Sequence, residues 1–176
     1  LAKRIKPGMT EVFIYYVGHG APDISTGDLY LMPSDSDPNY PATSYRLAEL
    51  YRSLEQLPVK QATVFLDACF SGRVGRGRQV EMLLAGARGI GVQPRQARIG
   101  ENTMVLAASA GNQVSSGYPV KAHGLFTYFL MLGLQGEADA DNDRTITMQE
   151  LYIYVRQRVG TEAGLLDREQ TPELLG

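Results

Sequence analysis

An α/β domain, with a mostly parallel sheet flanked by helices, is the fold class this sequence predicts. Three observations carry that expectation. Runs rich in β-branched and aromatic residues recur at 11–17 (EVFIYYV), 62–67 (ATVFLD) and 103–108 (TMVLAA). Each is close to continuously apolar, the pattern of strands buried on both faces of a parallel sheet. A segment of helical period lies between the first two, and strand, helix and strand then make a right-handed crossover.

The chain opens on LAKRIKPGMT, which reads as the end of a helix followed by a Pro-Gly turn, so an upstream segment is expected to belong to the same unit. After the first strand, SYRLAELYRSLEQLP sets Leu47, Leu50, Tyr51 and Leu54 on one helical face, with Pro58 beyond its end. Two further helices are predicted at 124–135 (GLFTYFLMLGLQ) and 148–158 (MQELYIYVRQR). Thr147 and Glu150 stand at capping-box spacing before the second. Residues 71–102 differ from their surroundings. They hold Arg73, Arg76, Arg78, Arg88, Arg95 and Arg98 against only Glu81 and Glu101, with many glycines. Apart from a short helix predicted at 79–88, this stretch reads as a basic loop.

A chain of 176 residues suits one domain, and 44% hydrophobic with 20% charged residues is ordinary for a soluble globular protein. A net charge of −2 predicts no general attraction to nucleic acid or to acidic membranes. The arginines of 73–98 do not change that by themselves. No apolar run reaches the length of a membrane span, and no signal peptide is visible. The lone Cys69 excludes an internal disulfide and a multi-cysteine metal site. Compartment is therefore not legible in cystine content, and a cytoplasmic location is the working expectation.

Two strand ends carry the chemistry. VFIYYVGHGAP, 12–22, ends in Gly-His-Gly, and ATVFLDACFSG, 62–72, ends on Cys69. In open parallel sheets, ligands bind outside the carboxyl ends of the strands. Sequential strands are usually neighbours, so His19 and Cys69, 50 residues apart in the chain, are expected to approach each other. A free thiol is only a few per cent thiolate at neutral pH. A nearby imidazole takes its proton and can later protonate an amine leaving group. The alternative is a small buried hydrophobe at 69 and a hydrogen-bonded turn residue at 19.

YYVGHG followed by FLDACFSG resembles the caspase-like cysteine peptidases, nearest to their bacterial members, the metacaspases and paracaspases. GLFTYFLMLGLQGEAD and ELYIYV are similar to the small-subunit half of that family. The resemblance implies a caspase-like three-layer α/β fold over 1–176, with a large-subunit-like part at 1–72, an Arg-rich linker at 73–102 and a small-subunit-like part at 103–176. It implies a cysteine endopeptidase with Cys69 as nucleophile and His19 as general acid/base, working through a thioester acyl-enzyme. The backbone N–H groups of Gly20 and Cys69 would form the oxyanion hole. Asp67 matches a pocket acid that selects Arg or Lys before the scissile bond, where caspases that cut after Asp have glutamine. The partners implied are protein or peptide substrates and the chain's own upstream segment, which in the family supplies a first strand, a helix and a second pocket acid. Val17 departs from the family, which commonly has Ser or Thr there. Such enzymes often carry a cleavable linker, so self-processing within 73–98 is expected. His123 is the only rival base and reads better as the start of a helix. Asp67 has its own alternative, a carboxylate capping local N–H groups.

DADNDRTITMQE, 139–150, places Asp139, Asp141, Asp143, Thr145, Thr147 and Glu150 at the ligand spacing of a calcium loop. Arg144 stands where that loop wants glycine, and a hydrogen-bonded Asp-rich turn is the favoured reading. Metacaspases often bind calcium through a different acidic cluster. Asp28 is a counterpart to part of it, but Thr43 and Ser44 stand where acids would be expected. No cofactor is required for the chemistry. Two rival functions follow: a catalytically inactive interaction module with this fold, and a calcium-regulated signalling domain.

Overall fold

Strand β4 (Gln61–Cys69) organises the molecule. Every residue from Ala62 to Ala68 is buried, so both of its faces carry core. The computed structural model describes residues 4–23, 25–37, 40, 43–70, 73–76, 79–82, 97–110 and 113–176. Within them β4 lies between β1 (Glu11–Pro22) and β7 (Thr103–Ala107), parallel to both. Strands β2 (Leu29–Met32) and β3 (Tyr45–Arg46) continue the sheet antiparallel beyond β1, and β10 (Glu173–Leu175) lies antiparallel to β7. The order is β10-β7-β4-β1-β2-β3. The sheet is therefore mixed: parallel through its three central strands and antiparallel at both edges, so the expected parallel character belongs to the centre.

Helices cover the two faces. On one, α1 (Leu47–Glu55) buries Leu47, Tyr51 and Leu54 against Ala62, Val64, Leu66 and Val105. On the other, α2 (Leu125–Leu132) and α3 (Met148–Leu165) pack Phe126, Phe129, Leu130, Val155 and Val159 against Phe65 and Leu106. Burial of each such side chain is worth roughly 1.5–3 kcal/mol. α2 ends at Leu132, earlier than predicted, and runs into a π-helical turn at Gly133–Glu137. Gly136, at φ 123, bends the chain there through a conformation that a side chain would strain. α3 starts at the predicted capping box: Thr147 Oγ1 accepts from Glu150 N–H, and the Glu150 carboxylate accepts from Thr147 N–H. It continues past 158 to Leu165. No helix among the described residues is long and apolar enough to cross a membrane.

Three expectations need correction. β1 does not stop at the histidine but runs through Gly18-His19-Gly20 to Pro22, because it exchanges its parallel partner β4 for antiparallel β2. Nor is β1 buried on both faces: Phe13, Tyr15 and Val17 are 66%, 48% and 58% exposed. The helices on that side pack on β4 and β7 instead. Residues Gln79–Met82 are not helical; they form strand β6, paired with β5 (Arg73–Arg76). The alternation Gln-Val-Glu-Met has a strand period, and the pairing satisfies its backbone groups. The rest of that predicted helix, 83–88, lies outside the described residues, as do Arg78, Arg88 and Arg95. A second small hairpin joins β8 (Gly117–Tyr118) to β9 (His123–Gly124) just before α2.

Candidate active site

The register of β1 on β4 runs from Glu11 opposite Gln61 to His19 opposite Cys69. Opposed residues of paired strands project to the same face, about 4.8 Å apart. His19 and Cys69 thus form the last rung of the parallel ladder, and Val17 with Asp67 the same-face rung before it. Both lie on the face that α2 and α3 cover, since Phe65 of that same alternation packs against them. His19 and Cys69 stand at the carboxyl end of the parallel β1–β4 pairing, within the strands and not beyond them.

Glycines make the rung possible. A Cβ on Gly20 would lie 2.6 Å from the Phe70 ring and 2.8 Å from the Cys69 carbonyl oxygen. One on Gly18 would lie 2.8 Å from the Tyr16 hydroxyl. That hydroxyl donates to the His19 carbonyl oxygen at 2.8 Å and accepts from Met32 N–H at 3.1 Å, tying the histidine's backbone to β2. Burial raises the Tyr16 pKa and keeps it a donor. His19 is exposed.

Cys69 is half-buried and clasped by one residue. Ser115 N–H donates to its Sγ at 2.7 Å, and the thiol faces the Ser115 carbonyl oxygen at 3.6 Å. Burial pushes the thiol up to about 11, the Asp67 charge adds to the rise, and the Ser115 N–H opposes it. At neutral pH this group is a protonated thiol that needs a base.

Asp67 is 5% exposed. Its two oxygens accept from Ser115 Oγ at 2.6 Å and from Thr127 Oγ1 of α2. Thr127 Oγ1 also meets the Tyr15 hydroxyl at 2.7 Å. Gly124 lies so close that a Cβ there would stand 2.5 Å from Asp67 Oδ2. Behind Ser115, the fully buried Gln170 accepts from Ser116 N–H at 2.8 Å and donates to Ala108 O at 3.0 Å. A polar chain thus runs from Tyr15 through Thr127, Asp67 and Ser115 to Gln170.

The other candidates lie elsewhere. His123 is exposed in the β8–β9 hairpin, before α2 and not within it. Carboxylate oxygens of Asp139, Asp141 and Asp143 come within 4.8 Å of one another. Each already accepts backbone N–H groups: Asp139 from Asp143 and Arg144, Asp141 from Asp143, and Asp143 from Thr145. Arg144 takes φ 69, the left-handed conformation for which such a loop prefers glycine. Glu150 accepts from Thr147 and from the Ala140 N–H, and the Asp141 N–H bonds to it as well. Asp28 pairs with the Arg46 guanidinium, and Thr43 bonds to the Tyr40 carbonyl oxygen.

The family model described as the caspase domain matches residues 2–176. The chain belongs to the caspase-domain family. That family comprises cysteine peptidases, whose substrates are proteins. Among solved structures the chain is similar to the crystal structure of caspase-1 from Spodoptera frugiperda, with 15% identity and a TM-score of 0.52. The match covers 94% of this chain and 59% of that one. At that identity the likeness speaks for the fold. None of the curated proteins compared matches the chain.

Sequence reasoning missed Ser115, Thr127, Tyr15, Tyr16 and Gln170. Two signals could have found the first two. Ser115 follows the third parallel strand, in the polar run GNQVSSG, where the rule that singled out His19 and Cys69 applies equally. Thr127 is the one aliphatic hydroxyl in the otherwise apolar and aromatic LFTYFLML. Tyr16 and Gln170 carry no comparable mark.

Proposed function

We infer that this caspase-domain chain is a cysteine endopeptidase that cuts after arginine, less often lysine, with Cys69 and His19 as a dyad and no cofactor in the chemistry. The observation that carries the reading is the Asp67 carboxylate. It is buried two residues before the nucleophile, on the same face, and among the described residues the hydroxyls of Ser115 and Thr127 hold it. Such a group suits a guanidinium, whose paired N–H donors match a carboxylate.

In the proposed cycle His19 takes the Cys69 proton and the thiolate attacks the carbonyl carbon of the bond after arginine. The oxyanion is held by the N–H groups of Gly20 and Cys69. As the C–N bond breaks, the imidazolium gives its proton to the departing amine, leaving a thioester. Water, deprotonated by His19, then attacks the thioester and frees the acid and the thiol. No carboxylate is assigned to orient His19; the Tyr16 hydroxyl on its carbonyl oxygen fixes its backbone instead. The arginines of 73–98 are substrates in cis, so the chain is expected to process itself there.

The test is a fluorogenic peptide ending in arginine, offered to the wild type and to Cys69→Ala, with the mass of each purified chain followed over time. Hydrolysis and a split confined to the wild type support the reading. No turnover in either protein leaves the inactive interaction module. A split that persists in Cys69→Ala means another protease made it.

A further inference from the structure

Ser115 holds the two working groups of the site at once. Its hydroxyl donates to Asp67 Oδ1 at 2.6 Å while its backbone N–H donates to Cys69 Sγ at 2.7 Å. One residue therefore covers both the carboxylate and the sulfur. Among the described residues Asp67 makes no ion pair, and the hydroxyls of Ser115 and Thr127 are the groups that satisfy it. A guanidinium offers such a carboxylate a full opposite charge and two parallel N–H donors, which two hydroxyls do not.

Among the described residues, Ser115, Thr127 and Gly124 lie against the Asp67 carboxylate. Thr127 lies inside α2, and Gly124 is fixed by its pairing with Gly117 in the β8–β9 hairpin. Ser115 belongs to neither a helix nor a strand. Gln170, whose Nε2 lies 3.4 Å from Ser115 Oγ, stands behind it as a second partner. Of the three, Ser115 is the one outside helix and strand, and the one whose hydroxyl has a second partner to turn to.

We propose that Ser115 is a strap coupling the cation site to the nucleophile: a guanidinium that takes Asp67 displaces the Ser115 hydroxyl and lifts its backbone off Cys69. This rests on the arginine-selective reading and adds a regulation of the same site. The resting enzyme keeps its thiol covered, and the side chain to be recognised uncovers it. Two effects then act together on the thiol. Water reaches the sulfur, and the bound cation cancels the Asp67 charge that raises its pKa; these outweigh loss of the single Ser115 N–H, the smaller influence beside burial.

The experiment measures alkylation of Cys69 by iodoacetamide at neutral pH, read by mass. The sulfur gains a carbon bond, iodide leaves and the thiol proton goes to solvent. Millimolar ethylguanidinium is compared with neutral ethylurea; neither has a bond to cleave. Each pKa unit the thiol drops raises its thiolate fraction about tenfold, so an acceleration of about threefold to tenfold by ethylguanidinium alone is expected. Asp67→Asn should abolish the acceleration. Ser115→Ala should react faster without the cation and respond less to it. Alkylation that ethylguanidinium slows or leaves unchanged in the wild type overturns the strap, even if arginine peptides are cleaved. Acceleration without peptide cleavage keeps the strap and removes the peptidase reading. The wild-type comparison needs no variant to fold.

Discussion

His19 and Cys69 are opposed residues on the last rung of the parallel β1–β4 ladder. Their spacing is therefore set by two strands whose hydrogen bonding continues behind them for eight further rungs, Glu11–Gln61 to Gly18–Ala68. A dyad built this way should lose activity without losing its fold. Cys69→Ala is expected to abolish hydrolysis of an arginine peptide. His19→Ala should lower kcat by about 10²–10⁴ with little change in KM. Unchanged kcat in His19→Ala would assign the base elsewhere.

Asp67 should govern choice of substrate more than rate. Asp67→Asn keeps the size of the side chain and removes the charge. A hydrogen bond to a charged group is worth about 1.5–3 kcal/mol, so kcat/KM for an arginine peptide should fall roughly tenfold to a hundredfold. An otherwise identical peptide with a neutral residue before the cut should change much less. Equal loss on both peptides would make Asp67 a structural carboxylate.

What the sequence made legible follows from what is local. The strand runs, the α1 face, the capping box and the strand positions of His19 and Cys69 each depend on a few neighbours in the chain. The exposed face of β1 was not legible, because whether Phe13, Tyr15 and Val17 are covered depends on where α2 and α3 settle, more than 100 residues away. Ser115 was missed for the same reason: its two bonds reach back 46 and 48 residues, to Cys69 and Asp67. The strand at Gln79–Met82 was misread because its pattern is short enough to suit either period.

The Asp139–Asp143 loop is expected to fold without an ion. Its carboxylates are satisfied by the N–H groups of Asp143, Arg144 and Thr145, and Glu150 is engaged in the cap of α3. Calcium titrated calorimetrically into the wild type and Asp141→Ala should give no heat in either. Heat in the wild type that Asp141→Ala loses would establish a calcium site and favour a calcium-regulated enzyme.

The raised thiol should make stability fall in alkali. Cys69 titrates at about 11 in the folded chain, against an ordinary value of 9.0. The fold thus favours the protonated form, and its contribution is complete below about pH 9. Between 9 and 11 the unfolded chain loses this proton first, so it binds fewer protons than the folded one. Stability then declines as pH rises. The difference corresponds to roughly 2–3 kcal/mol. Tyr16 and Tyr51 are also raised by burial and add to the alkaline loss, but equally in wild type and Cys69→Ala. Urea denaturation of both proteins from pH 8 to 11 isolates the thiol. The wild type should lose about that much more than the variant, and parallel curves would mean that water already reaches the sulfur.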